Sequence, residues 1–194
     1  MGIYELIIKR RTIRKFQQQP ISSELLTSLV NAGRVAPSGA NLQPLEFIIV
    51  NKKGLVDQVF STLKWAGYIA PAGNPPEGKQ PTAYIIVLIN TEIKKEKGEV
   101  DAAAAMENMI LAALDKGIGS CWIGSINRKE IRNIFGLSDL YKIDSILALG
   151  YPDESPVLEE TEDSIKYWKD ESGRLHVPKR KMENVLHVNG FDEK

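Results

Sequence analysis

Residues 83–89 form an unbroken apolar run, Ala-Tyr-Ile-Ile-Val-Leu-Ile, and this run constrains the fold more than any other stretch of the chain. It falls well short of a bilayer span, so with Asn90 it reads as a buried strand. Residues 47–50 and 143–149 are similar compact runs rich in β-branched residues and read the same way. Between the second and third of these strands, residues 99–116 carry the strongest helical pattern. One face, Val100, Ala103, Ala104, Leu111 and Leu114, is lined with small residues that permit close helix packing.

Shorter helices are expected at residues 3–11, 55–65 and 128–135. Another starts at a Ser22 or Ser23 cap, carries Leu25, Leu26, Leu29 and Val30 as its stripe, and stops at Gly33. Residues 121–126 read as a short strand. Residues 167–169 and 174–177 form a hairpin around Asp170-Glu171-Ser172-Gly173. Residues 67–81, with Pro71, Pro75, Pro76 and Pro81, make an irregular loop, either a lid or a simple connection. No repeat or linker interrupts the pattern. The expectation is one α+β domain over residues 1–194, with the tail 188–194 peripheral.

Charge gives no global direction, because 25 Lys plus Arg balance 25 Asp plus Glu; it must be read locally. The single cysteine, Cys121, excludes a disulfide framework, a zinc knuckle and a Cys-ligated iron–sulfur cluster within one chain. It fits a reducing compartment, so the cytoplasm is expected. The opening order, apolar then basic, is the reverse of a secretory signal. Neither a membrane nor a nucleic-acid partner is expected, and no metal site is apparent: His176 and His187 lack ligand spacing.

Four local features remain. Arg10-Arg11-Thr12-Ile13-Arg14-Lys15 packs four cations and a hydroxyl into six residues, either a phosphate grip or a solvated basic helix end. Ala36-Pro37-Ser38-Gly39-Ala40-Asn41-Leu42-Gln43-Pro44 is a helix-to-strand loop whose Gly and amides suit a planar heterocycle, or an ordinary connection. Gly117-Ile118-Gly119-Ser120-Cys121-Trp122-Ile123-Gly124 follows a helix and opens a strand. That is the inverse of a dinucleotide fingerprint, so the Rossmann reading is rejected. Pro178-Lys179-Arg180-Lys181 is a second cationic cluster, a solvated tail or a second hand on one dianion. No nucleophile–base pair stands out, and Cys121 reads as a buried inert thiol. A cofactor enzyme, whose protein supplies binding and electrostatics, needs no such groups.

Taken in order, RRTIRKF, APSGANLQP followed by EFIIV, GIGSCWIGSI, LALGYPDE and VPKRKMENVLH resemble the nitroreductase family of FMN enzymes, from Tyr4 to His187. The resemblance implies a central, mostly antiparallel sheet surrounded by helices, and a homodimer with FMN sites at the seam and residues 99–116 in the dimer contact. It implies that Arg10 meets the phosphate, joined by Lys179 or Arg180, and that Arg11 and Thr12 hold the phosphate and ribityl region. Arg14 then lies near the pyrimidine end, where a cation stabilises reduced flavin. Pro37, Ser38, Gly39 and Asn41, with Gln43 nearby, come from the partner, and Ile123 and Gly124 place amides by N5. Thr12 replaces the Ser of many members and keeps the hydroxyl. No side chain is expected to be catalytic. The implied activity passes electrons from NADH or NADPH to a nitroaromatic, quinone or related acceptor in alternating half-reactions. A specialised enzyme of the same fold (dehalogenase, flavin-fragmenting or azoline-forming) and a non-catalytic flavin sensor or store are the alternatives.

Overall fold

The computed structural model describes residues 2–191, so the end of the expected peripheral tail, residues 192–194, lies outside the described residues. The central sheet has the order β1-β2-β4-β3, with β1 Leu45–Val50, β2 Ala83–Asn90, β3 Gly119–Ile123 and β4 Tyr141–Gly150, and every neighbour is antiparallel. Strand β2 lies in the interior, and alternation splits its apolar run between the two faces. Ile85 and Val87 point into one core with α2 (Ser23–Arg34) and α4 (Gly98–Asp115). Tyr84, Ile86 and Leu88 point into the other with α3 (Lys53–Ser61) and α5 (Arg128–Phe135). Helices cover both faces, which is why the run carries no polar alternation. A bulge opposite Val87 and Leu88 leaves Asp144 outside the register.

Local chemistry explains where several elements start and stop. Ser22 caps α2, its hydroxyl accepting from Leu25 N at 3.2 Å. Helix α2 runs through Gly33 rather than ending there, because a Cβ at Gly33 would lie 3.0 Å from Met109 Cγ: this glycine serves close approach to α4. Helix α3 stops earlier than the periodicity predicts. Leu63 leaves it to bridge Ile126, and Lys64 N donates to Ser125 O at 3.0 Å. Strand β3 starts two residues before the expected position and ends at Ile123, and α1 spans only Ile3–Lys9.

The expected packing face of α4 is corrected. The stripe buried within the chain is Ala102, Ala105, Met106, Met109, Ile110 and Ala113, while Val100 is 68% exposed and Ala103, Ala104 and Leu111 are half-buried. A second sheet, unseen in the periodicity except for its hairpin, has the order β5-β7-β6. Strand β5 (Val157–Thr161) runs parallel to β7 (Leu175–Arg180), and β6 (Trp168–Lys169) runs antiparallel to β7 with Trp168 opposite His176. Among the described residues no helix is long and apolar enough to cross a membrane.

Candidate active site

The site is organised by two glycines facing each other across the β3–β4 ladder, Gly119 and Gly150. A Cβ on Gly119 would lie 2.9 Å from Ile13 Cγ1, and one on Gly150 would lie 2.7 Å from Phe16 Cδ1. Their bare backbones let the extended segment 12–17 lie across the strand ends with Ile13 and Phe16 buried beneath it. Ile13 N donates to Ser120 O at 2.8 Å, Gln17 N to Tyr151 O at 2.8 Å, and Thr12 bridges Ser120 in parallel register. Glu154 clamps the same segment, one carboxylate oxygen accepting from Arg14 N at 2.5 Å and Lys15 N at 3.2 Å. Burying Ile13 and Phe16 turns Arg11, Thr12, Arg14 and Lys15 outward into partial exposure.

Two clefts open along this seam. The first, about 620 Å³, is lined by Arg14, by Trp122, Ile123 and Gly124, and by Trp65 with Ala66. The second, about 200 Å³, is lined by Lys9, Arg10 and Arg11, with Gly119 and Ser120 opposite. Arg11, Thr12, Arg14, Ile123 and Gly124 are thereby gathered along one strand edge, with Arg10 at its cationic end. The Nε atoms of Arg11 and Arg14 are buried without a hydrogen-bond partner. A buried donor left unpaired is unfavourable, so each marks a place for an acceptor. Arg10 pairs with Glu107 of α4 at 3.6 Å, and Arg11 donates to Arg10 O. Burial first, and then the Arg10 charge, lowers the Arg11 pKa.

The 36–44 loop lines a different cavity of about 120 Å³, through Pro37, Ser38 and Gln43. Ala40, Asn41 and Gln43 all hold positive φ, at 51°, 55° and 51°, a conformation unfavourable for residues with a Cβ. Two anchors hold it. Asp101, only 4% exposed on α4, accepts from Gly39 N at 3.0 Å and pairs with Lys94 Nζ at 2.6 Å, while Ser38 Oγ accepts from Gln43 N at 3.1 Å. Within one chain this loop shares no cleft with Arg14. Lys179 and Arg180 do not line the cleft that holds Arg10: both sit exposed at the end of β7, and Arg180 donates to Asn184 O at 2.6 Å. The residue of β7 that reaches the Arg14 segment is Leu175, about 13 Å along the strand from Lys179.

Several site residues escaped the sequence reading. Glu154 lay inside the quoted LALGYPDE segment but had no role until its backbone partners were known. Tyr167 supports Arg14, whose guanidinium carbon lies 5.2 Å from the ring centroid, and its hydroxyl accepts from Tyr68 N at 3.5 Å. Lys169 Nζ donates to Ala72 O at 2.8 Å. The 67–81 segment is therefore pinned by the second sheet at Tyr68 and Ala72, and its Gly67, Ala70 and Asn74 form one wall of the larger cleft. Cys121 lies under that cleft with its thiol pushed up to about 11 by burial, and so is neutral. His176 bonds Glu159 at 3.0 Å and Asp170 at 3.1 Å; among the described residues no cluster suits a metal ion.

Comparison with known proteins agrees with this geometry. A protein of Archaeoglobus fulgidus, provisionally named an NADH dehydrogenase/NAD(P)H nitroreductase, is 29% identical over 82% of this chain and 90% of its own length. The iodotyrosine deiodinase of Thermotoga neapolitana is 26% identical, over 85% of this chain and 97% of its own. Among solved structures, an FMN-dependent nitroreductase of Clostridium difficile superposes with a TM-score of 0.69 at 25% identity, covering 96% of this chain and 98% of that one. The Nitroreductase family model matches residues 7–151, which holds the Arg10–Arg14 segment, the 36–44 loop, the whole central sheet and Tyr151. On that span and that architecture, the chain belongs to the nitroreductase family.

Proposed function

We propose that this chain is an FMN-dependent oxidoreductase, a single-domain subunit of a homodimer, that carries electrons from NADH or NADPH to a nitroaromatic, quinone or related acceptor. The observation that carries the reading is the pair of partnerless buried guanidinium nitrogens, Arg11 Nε and Arg14 Nε, on one segment that borders two clefts, one cationic and one largely apolar. The pair of clefts suits FMN in kind. A phosphate of about −1.5 to −2 charge calls for several cations, which Lys9, Arg10 and Arg11 supply beside the Thr12 and Ser120 hydroxyls. A flat ring calls for apolar walls and close backbone approach, which Ile123 and Gly124 supply.

FMN, when bound, supplies reversible transfer of electrons and hydride at its ring. The residues supply the rest. Arg14 favours negative charge on the pyrimidine side, and its stacking on Tyr167 keeps it oriented. Ile123 and Gly124 would offer backbone amides that help to orient the ring. Cys121, neutral and buried, takes no part, and no side chain acts as acid or base. Donor and acceptor use the one large cleft in turn.

The exposed Val100 and half-buried Ala103 and Ala104 of α4, with the exposed Ile3, Tyr4, Ile7 and Ile8 of α1, support a dimer contact. In that dimer Pro37, Ser38, Gly39, Asn41 and Gln43 cover the partner's flavin. Lys179 or Arg180, exposed at the end of β7, adds a cation to a phosphate in that dimer. Purified protein reconstituted with FMN should stay yellow, bleach anaerobically with one nicotinamide, and recolour with a nitro compound. Protein that stays colourless after incubation with FMN refutes the reading. The likeness to a deiodinase favours one second reading, a dehalogenase of the same fold. Nitro turnover no faster than free FMN, with reductive release of halide, would establish it.

A further inference from the structure

The chain is neutral overall, and several of its cations are paired with carboxylates: Lys79 with Asp153 at 2.7 Å, Lys94 with Asp101, Lys142 with Glu99, Lys181 with Glu162. The cations of the larger cleft are not paired in this way. Arg14 and Lys64 line it, and no carboxylate does. Lys15 and Lys169 stand behind Arg14 in an adjoining small cavity. Among the described residues none of these four makes an ion pair. The carboxylate beside them, Glu154, spends one oxygen on the backbone amides of Arg14 and Lys15. Lys169 has its pKa lowered, by burial first and then by the charge of Lys15, with Glu154 opposing the shift and Arg14 adding to it.

A flavin accounts for Arg14 and leaves Lys64, at the exposed rim, without a task. Beside it the lining includes the apolar Leu63, Trp65, Ala66, Ala70 and Trp122, the last of them 43% exposed. Aromatic faces accept planar rings, and an uncompensated cation at the edge attracts an anion.

Resting on the proposed function, we propose that the acceptor is an aromatic anion, a planar ring bearing a carboxylate, seated against Trp65 and Trp122 with its charge toward Lys64. For a nitroarene acid the balance is complete. NAD(P)H and one proton deliver two electrons and two protons to the nitro group, which becomes nitroso as one oxygen leaves as water, and the carboxylate is unchanged.

The experiment uses the FMN-loaded protein with 4-nitrobenzoate and its neutral analogue 4-nitrobenzamide. Flavin reduced photochemically, with nicotinamide absent, is reoxidised by each. Unreactive benzoate is titrated into the oxidised protein and followed by the flavin spectrum. The acid should react about fivefold faster than the amide at low concentration, an advantage that salt reduces. Lys64→Glu should abolish that ratio and weaken benzoate binding, whereas Lys52→Glu, the same charge change at the start of α3, should leave both alone. Equal rates for acid and amide with flavin bound and reducible overturn this proposal alone; absence of flavin binding overturns the underlying reading instead. If Lys64→Glu alters only bleaching by NAD(P)H, the cations serve the donor's phosphates and the proposal fails.

Discussion

Three glycines near the cleft should respond to the same substitution in three different ways. A methyl group on Gly150 would sit 2.7 Å from Phe16 Cδ1 and 2.9 Å from both Phe16 Cγ and Cβ. Turning the ring cannot relieve the last of these, and Phe16 is fully buried. Ordinary carbon contacts are about 3.5 Å or more, so segment 12–17 must shift by roughly 0.6 Å. Overpacking of this kind costs about 1 to 3 kcal/mol. For a chain of this size that lowers Tm by about 2 to 12 °C. The shifted segment carries Arg11, Thr12 and Arg14, so FMN affinity should fall as well. Gly117→Ala meets no atom within 4 Å but must hold φ at 73°, a backbone penalty of about 1 kcal/mol without loss of flavin. Gly124→Ala meets nothing and has no such φ, and should be neutral in stability to within about 0.5 kcal/mol. Thermal unfolding with and without FMN, together with a fluorescence titration of FMN, ranks the three. If Gly150→Ala unfolds and binds flavin like the wild type, the account of how the cationic segment is seated is wrong.

Arg10→Ala should weaken FMN binding by about 1.5 to 3 kcal/mol, the scale of a lost charge-assisted contact; an unchanged Kd would show that Arg10 does not hold the phosphate. Asp101→Ala strands Lys94 and leaves Gly39 N unpaired, and should lower stability by about 3 kcal/mol. Chemical denaturation with a loss below about 1 kcal/mol would refute the anchor. The His176 pKa is raised above 6.5, by its bond to Asp170 first and to Glu159 second, while the Asp170 pKa is held at about 2. A raised pKa means a contribution fully present below about 6.5 and lost as pH rises through the folded-state value. The Tm difference between wild type and His176→Phe should therefore be largest in mild acid and shrink toward alkaline pH. A difference that grows with pH would contradict the pairing.

Much of the central architecture was legible because its signals are local. The apolar run at 83–89, the Ser22 cap and the helix Arg128–Phe135 need nothing beyond their own residues. The cationic segment and the Gly-rich strand were each visible, but their meeting was not. It depends on Gly119 and Gly150 standing opposite each other, a register relation between residues 31 positions apart. The second sheet escaped because β5 pairs in parallel with β7 across an intervening hairpin, and Val157-Leu158-Glu159-Glu160-Thr161 is too polar to announce a strand. Asp101 and Glu154 were illegible as site residues for a related reason. Each acts on backbone amides of another segment, and nothing in a carboxylate's own neighbourhood says which amide it will find.

Helix α4 gives the sharpest case. Its small residues run all round, so periodicity offers more than one stripe, and propensity does not rank them. What selects Ala102, Ala105, Met106 and Met109 for the interior is the shape of their neighbours: the bare backbone of Gly33 on α2 receives Met109, and Ile85 and Val87 fill the sheet side. The stripe with Val100, Ala103 and Ala104 is left outside one chain. Under the dimer reading that stripe is not misplaced hydrophobicity but the part of the pattern that a single copy cannot satisfy. The same holds for the 36–44 loop, which Asp101 of this helix holds in a strained shape outside the lining of its own chain's large cleft. A helix that buries one face at home, presents a second, and anchors the strained loop beside it ties the folding of the subunit to completion of the site.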